Sequence, residues 1–348
     1  MAKQPSTTKI MGNHQGINRT VPLFISSLLL TLCLGNILGC SSTTLEENAA
    51  AKIIGEHGLQ PSQFSRPRAV AFFNDERFMV IDRTGRVQRF DGDGNYEMLF
   101  RLPSFDNGTP TGISIDPTDD SMWIADTHNQ RILQYNAEGE LLFTFGVDGT
   151  GPGQLIFPTD VCPDPDGKSL WISEYGLRSR VMQFTREGEF VKEWGSGEYE
   201  YSDLMRPMAI VVDSTGKIFI ADAGNHRILV YNRAGERLAV IGNPGRKPGE
   251  FKYPYDLALD AEERLYVLEY GNDRVSCFTI SGEPTSDEFG KFVDSWGTSG
   301  YQPNQVHSPW GLAISKSGIM AIADTYNGRV LLMPNAPAQF TAKEENHS

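Results

Sequence analysis

Short apolar runs, each closed by a carboxylate and reopened by an arginine, recur along the chain. In Ile218-Phe219-Ile220-Ala221-Asp222-Ala223-Gly224-Asn225-His226-Arg227-Ile228-Leu229-Val230-Tyr231, two β-prone runs flank a polar turn. Gly224 and Asn225 tolerate left-handed backbone angles, so the pattern predicts a hairpin with these residues in its turn. Closing carboxylates stand at Asp82, Asp126, Glu174, Asp222, Glu269 and Asp324, in steps of 44, 48, 48, 47 and 55 residues. An arginine follows each, at Arg86, Arg131, Arg180, Arg227, Arg274 and Arg329. Hairpins that bring each carboxylate to its arginine predict six structural ion pairs. Six copies of one pair argue for a structural role, because a catalytic group is needed once.

A second marker precedes each hairpin. Pro67, Pro110, Pro158, Pro207, Pro254 and Pro309 each open a further apolar run, and a less regular fourth run follows the third. Four short strands per unit without helical periodicity predict an all-β, six-bladed β-propeller of four-stranded antiparallel blades. The sixth unit ends at Arg329–Met333 without a fourth strand, while Lys52-Ile53-Ile54-Gly55 resembles the fourth strand Leu238-Ala239-Val240-Ile241-Gly242. The amino-terminal strand is therefore expected to close the ring and cover its open edge. The longest step reflects an insertion near residues 281–290, expected as a surface loop.

The turns carry a family signature. Asp126-Thr127-His128-Asn129-Gln130-Arg131, Asp222-Ala223-Gly224-Asn225-His226-Arg227 and Asp324-Thr325-Tyr326-Asn327-Gly328-Arg329 resemble the Asp-x-x-Asn-x-Arg motif of the NHL repeat family. The resemblance covers roughly residues 52–333; units one and three depart in turn length, and units three and five use glutamate. It implies an NHL-type propeller, a group that includes binding scaffolds and a few enzymes, so fold does not decide function.

The segments divide as 1–40, 41–51, 52–334 and 335–348. In the first, Lys3, Lys9 and Arg19 precede an apolar stretch that ends in Ile37-Leu38-Gly39-Cys40, which resembles a bacterial lipobox with Cys40 as the lipidated residue. This predicts a signal peptide, a polar tether, the propeller and a disordered tail, with the protein lipid-anchored in a bacterial cell envelope. Ser41 resembles an outer-membrane sorting residue in Gram-negative lipoproteins. A monomer is expected.

Charge and cysteines narrow the chemistry. The chain has 31 basic and 44 acidic residues, a net of −13, and loss of residues 1–40 makes this −16. Such a balance opposes phosphate neutralisation and argues against nucleic acid. Cys162 and Cys277 fall in non-adjacent blades and fit no zinc spacing, so free buried thiols are expected. His128 and His226 lie in turns of different blades, and no EF-hand loop or Ser-His-Asp arrangement stands out. No metal or cofactor is predicted.

Strand direction places the residues after each proline on the same face as the carboxylate–arginine turns. Arg68, Thr111, Thr159, Met208, Tyr255 and Trp310 are expected at the channel mouth, with Asp160 and Asp256 one step further along. The mixture suits a small polar ligand or a protein partner; ordinary channel lining is the competing reading. The peptide-amidating lyase resembles the chain in its repeats but places zinc-binding histidine directly after two such prolines, and streptogramin-type lyases, of the same general shape, also use histidine near such a position, where none stands here. The function expected is an envelope-anchored scaffold that binds a ligand or protein. The alternative is a channel-mouth hydrolase or lyase, metal-dependent in one form.

Overall fold

The computed structural model describes residues 51–104, 108–176, 178–195, 203–334, 336 and 340. The leader, Cys40 and most of the tether lie outside these residues. Six four-stranded antiparallel sheets form a six-bladed propeller. Their innermost strands are Pro67–Phe72, Gly112–Ile115, Phe157–Pro163, Pro207–Val212, Pro254–Leu259 and Gly311–Ile314.

The second strand of each blade explains the run of apolar residues. Phe78–Asp82, Met122–Asp126, Ile218–Asp222 and Met320–Asp324 are buried at every position. Both faces of these strands meet a neighbouring blade, so the alternation of a half-exposed strand is absent. The outer strands have a free face, and Leu142, Val191 and Val240 are exposed there.

Packing is organised between blades. Trp123 and Ile132 meet Leu170 and Ile172; Trp171 meets Ile210 and Ile220; Phe219 and Val230 meet Leu257 and Val267. The last interface joins Ile54, Val330 and Leu332 to Val70, Phe78 and Phe90. Here Lys52–Ile54 pairs antiparallel with Arg329–Met333, with Ile54 opposite Val330, as the outer strand of the sixth sheet. Beyond the last strand, Ala336 and Phe340 are buried, and the Phe340 ring lies 5.2 Å from Tyr266.

All six carboxylate–arginine pairs form. Asp82 meets Arg86, and the remaining N–O distances are 2.7 Å at Asp126–Arg131, 2.6 Å at Glu174–Arg180, 2.8 Å at Asp222–Arg227, 2.6 Å at Glu269–Arg274 and 2.7 Å at Asp324–Arg329. The arginine does more than span the turn. Arg329 donates to the carbonyls of Tyr301, Gln302 and Gln305, and Arg274 to those of Arg246, Lys247 and Glu250. Each thereby holds the loop that enters its own blade. Asn225 adds a 2.9 Å bond to Asp222, and Asn327 a 2.7 Å bond to Asp324, which accounts for the asparagine of the motif.

The turn geometry corrects one expectation. The left-handed residue is His226 (φ 57°), not Gly224 or Asn225. Gly224 serves close approach instead: a Cβ there would lie 2.6 Å from the Met205 carbonyl oxygen.

Candidate functional site at the channel mouth

The six inner strands surround a cavity of about 270 Å³ on the propeller axis. Its wall is largely apolar, with Ala71, Ile113, Ile210, Leu257 and Leu312 among the lining residues. Thr111, Met208, Tyr255 and Trp310 line it near the mouth, and Asp160 and Asp256 are its carboxylates.

The eight residues expected at the mouth divide into three groups. Thr159 is withdrawn from the channel: it is fully buried, with its hydroxyl 2.9 Å from the Pro207 carbonyl and 2.8 Å from Ser173. The Thr111 hydroxyl makes the equivalent 2.7 Å link to the Thr159 carbonyl. These threonines tie one blade to the next.

Asp160 and Asp256 face the cavity, but they are not free acceptors. Backbone bulges follow Pro158 and Pro254. They bring one Asp160 oxygen to Val161 N (2.9 Å) and the other to Ile210 N of the next blade (3.0 Å). Asp256 does the same with Leu257 N (2.8 Å) and Leu312 N (2.7 Å). Each carboxylate staples two inner strands. Gly112 leaves room for this, since a Cβ there would lie 2.4 Å from an Asp160 oxygen.

Burial pushes Asp160 up to about 7, against the two N–H bonds that lower it. Burial also raises Asp256, and the Asp160 carboxylate adds to it. A raised carboxyl contributes stability that is complete below its unfolded pKa and lost as pH rises through the folded value. Asp160→Ala should therefore cost more near pH 5 than near pH 8, by about 2 kcal/mol. Urea unfolding of both proteins at the two pH values checks this; a difference independent of pH would remove the raised carboxyl.

The third group is aromatic and cationic. Tyr255 stacks on Tyr270 at 4.6 Å, and Trp310 stands edge-on to Tyr255 at 5.3 Å. Met208 and Ala223 pack with them, so the mouth has a small apolar core of its own. The Arg68 guanidinium lies 4.2 Å from the centre of the Trp310 ring. Its charge also acts on Tyr175 of the third blade and Tyr255 of the fifth.

Sequence periodicity missed three neighbours. Arg66 lies over Tyr326 at 5.0 Å, and Arg206 lies between Tyr175 (5.6 Å) and Tyr255 (5.9 Å). Arg83, from the first carboxylate–arginine turn, acts on Arg68. Arg66 and Arg206 immediately precede a proline and have φ of 56° and 55°.

The histidines are used locally. His226 Nδ1 accepts from Tyr253 N at 3.0 Å, and His128 lies against Phe157. Among the described residues no group of three His, Cys, Asp or Glu side chains is placed to hold a metal ion. Cys162 lines the cavity and Cys277 is buried; both are free thiols.

Comparison with known proteins bears on this architecture. Residues 202–288 match a family described as DUF5128, a 6-bladed beta-propeller. The NHL repeat-containing protein 3 of Mus musculus is 27% identical over 161 residues, covering 42% of this chain and 45% of that protein. The repeats are of the NHL type. Peptidyl-glycine alpha-amidating monooxygenase B of Xenopus laevis is 27% identical over 191 residues, 50% of this chain and 20% of its own length. The chain thus spans less than half the length of these curated relatives. A streptogramin B lyase structure superposes with a TM-score of 0.53 at 13% identity, covering 81% of this chain and 96% of that one. At this identity the likeness describes the fold alone and not its chemistry.

Proposed function

We propose that this NHL-type propeller is a non-catalytic binding module, held at a bacterial envelope membrane through a lipidated Cys40, and that it captures its ligand at the channel mouth. The observation that carries the reading is Arg68, stacked on Trp310 above an apolar-walled cavity. A preformed concave site with a few convergent polar groups is what small-ligand binding needs. Asp160, with a pKa near neutrality, is the group a hydrolase or lyase would use. Both of its oxygens already accept backbone N–H bonds, one from Val161 in its own strand and one from Ile210 of the next blade, which favours binding over catalysis.

The test is co-purification from the envelope fraction. Arg68→Met and Trp310→Phe should lose partner or ligand capture, whereas Asn232→Ala, on the opposite face, should keep it. Cys40→Ala should leave an unlipidated precursor by mass of the amino-terminal peptide. Loss of capture from the opposite face alone would move the site, and an identical mature terminus in the Cys40→Ala protein would remove the anchor.

A further inference from the structure

Most arginines elsewhere among the described residues meet a carboxylate: Arg89, Arg186, Arg233 and Arg264 do so, like the six blade arginines, and the exposed Arg101 and Arg246 do not. At the mouth unpaired arginines gather. Among the described residues the exposed Arg66, Arg83 and Arg206 and the half-buried Arg68 form no ion pair, although acidic residues outnumber basic ones by 44 to 31. Their charges are left to oppose each other: burial, then Arg83 and Arg66, depress Arg68 to about 10. It stays cationic at neutral pH, at a free-energy cost that a bound anion would relieve.

Two buried donors at the same place are unused. Arg68 Nε and Trp310 Nε1 are both shielded from water and have no hydrogen-bond partner. Donors in that state are costly unless something fills them. Around them stand flat apolar surfaces, namely Trp310 and the Tyr255–Tyr270 stack, and below them opens the cavity.

We propose that the mouth is a receptor for a small organic anion. Its carboxylate, phosphate or sulfonate group is held by Arg68 and Arg206, and its flat apolar body lies against Trp310 and Tyr255 at the cavity entrance. A guanidinium fork matches such oxyanions, and aromatic walls suit a planar body. A polyanion is disfavoured, because the protein's net negative charge would repel it. The inference rests on the mouth being the binding site.

Calorimetric titration of the full-length chain in detergent tests it with four probes that share one ring: benzoate, phenyl phosphate, benzamide and benzylamine. Benzoate and phenyl phosphate should bind, and benzamide and benzylamine should bind more weakly or not at all. Arg68→Met should weaken benzoate by about 10- to 100-fold, the loss expected for a charge-assisted contact. Because it removes a crowded cation, this variant should keep its melting temperature, which separates lost binding from lost folding. Inorganic phosphate, which lacks the ring, should bind more weakly than phenyl phosphate. Benzamide or benzylamine binding as tightly as benzoate, or benzoate binding unchanged in Arg68→Met, would overturn anion selection while leaving the mouth as the site. Absence of binding by any probe would also overturn it. If in that case Arg68→Met and Trp310→Phe still captured partner normally, the mouth itself would fall as the site.

Discussion

Replacing Arg180 by methionine should cost about 3–5 kcal/mol of unfolding free energy, the range for a buried ion pair broken on one side. Arg180 and Glu174 are both fully buried. Arg180 also reaches Glu193 at 2.6 Å and the carbonyls of Gly151 and Gln154 at 3.1 and 2.7 Å. Methionine would fill the volume but leave Glu174 with only the Ile156 N–H among these bonds, and would release the loop before blade three. Burial already raises Glu174, and the Arg180 charge is the chief influence holding it down. In the variant Glu174 should protonate more readily, so the penalty should shrink as pH falls. Arg227→Met should cost less, because Arg227 is 27% exposed and Asp222 keeps bonds from Met205 N and Asn225. The Glu174→Gln/Arg180→Met double variant should cost less than the two single changes summed. Urea unfolding measures the four variants against the unsubstituted protein; equal costs at positions 180 and 227, or no coupling in the cycle, would refute the account.

The same pairs show what was legible in the sequence. The ring could be read because its blades repeat, so one Asp-x-x-Asn-x-Arg turn supports the reading of the next. The second partners of the arginines could not be read, because loop carbonyls carry no side-chain signature. The bulges after Pro158 and Pro254 were equally silent, so Asp160 and Asp256 looked like free acceptors when each bridges two strands. Arg66, Arg83 and Arg206 escaped notice for the opposite reason. They have no counterpart in every blade, and a search for periodicity passes over what occurs once or twice. Arginine directly before proline, in a chain this acidic, was the available signal. Function concentrates where repeats are broken, because a ring of six alike units has no reason to favour one ligand orientation.

Removal of residues 41–56 should destabilise the whole ring, whereas removal of 41–50 should leave its melting temperature nearly unchanged. The strand at issue is three residues long, yet it lies at a point of closure. Ile54 is 5% exposed and packs with Phe64, Phe78, Phe90, Val330 and Leu332, so it touches both the last blade and the first. Its neighbour Ile53 points outward and is 43% exposed. Gly94 marks how closely the chains fit, since a Cβ there would come within 2.3 Å of Ile54. Ile54→Ala should therefore cost about 2–5 kcal/mol and Ile53→Ala well under that. The longer deletion loses Ile54 together with the ladder to Arg329–Met333, and should exceed the single substitution. It also bares a strand edge of mostly apolar residues, so the truncated protein should self-associate as concentration rises. Thermal unfolding and light scattering of the two truncations decide the matter. The same melting temperature for both would mean that the ring is held shut by the blade interfaces alone.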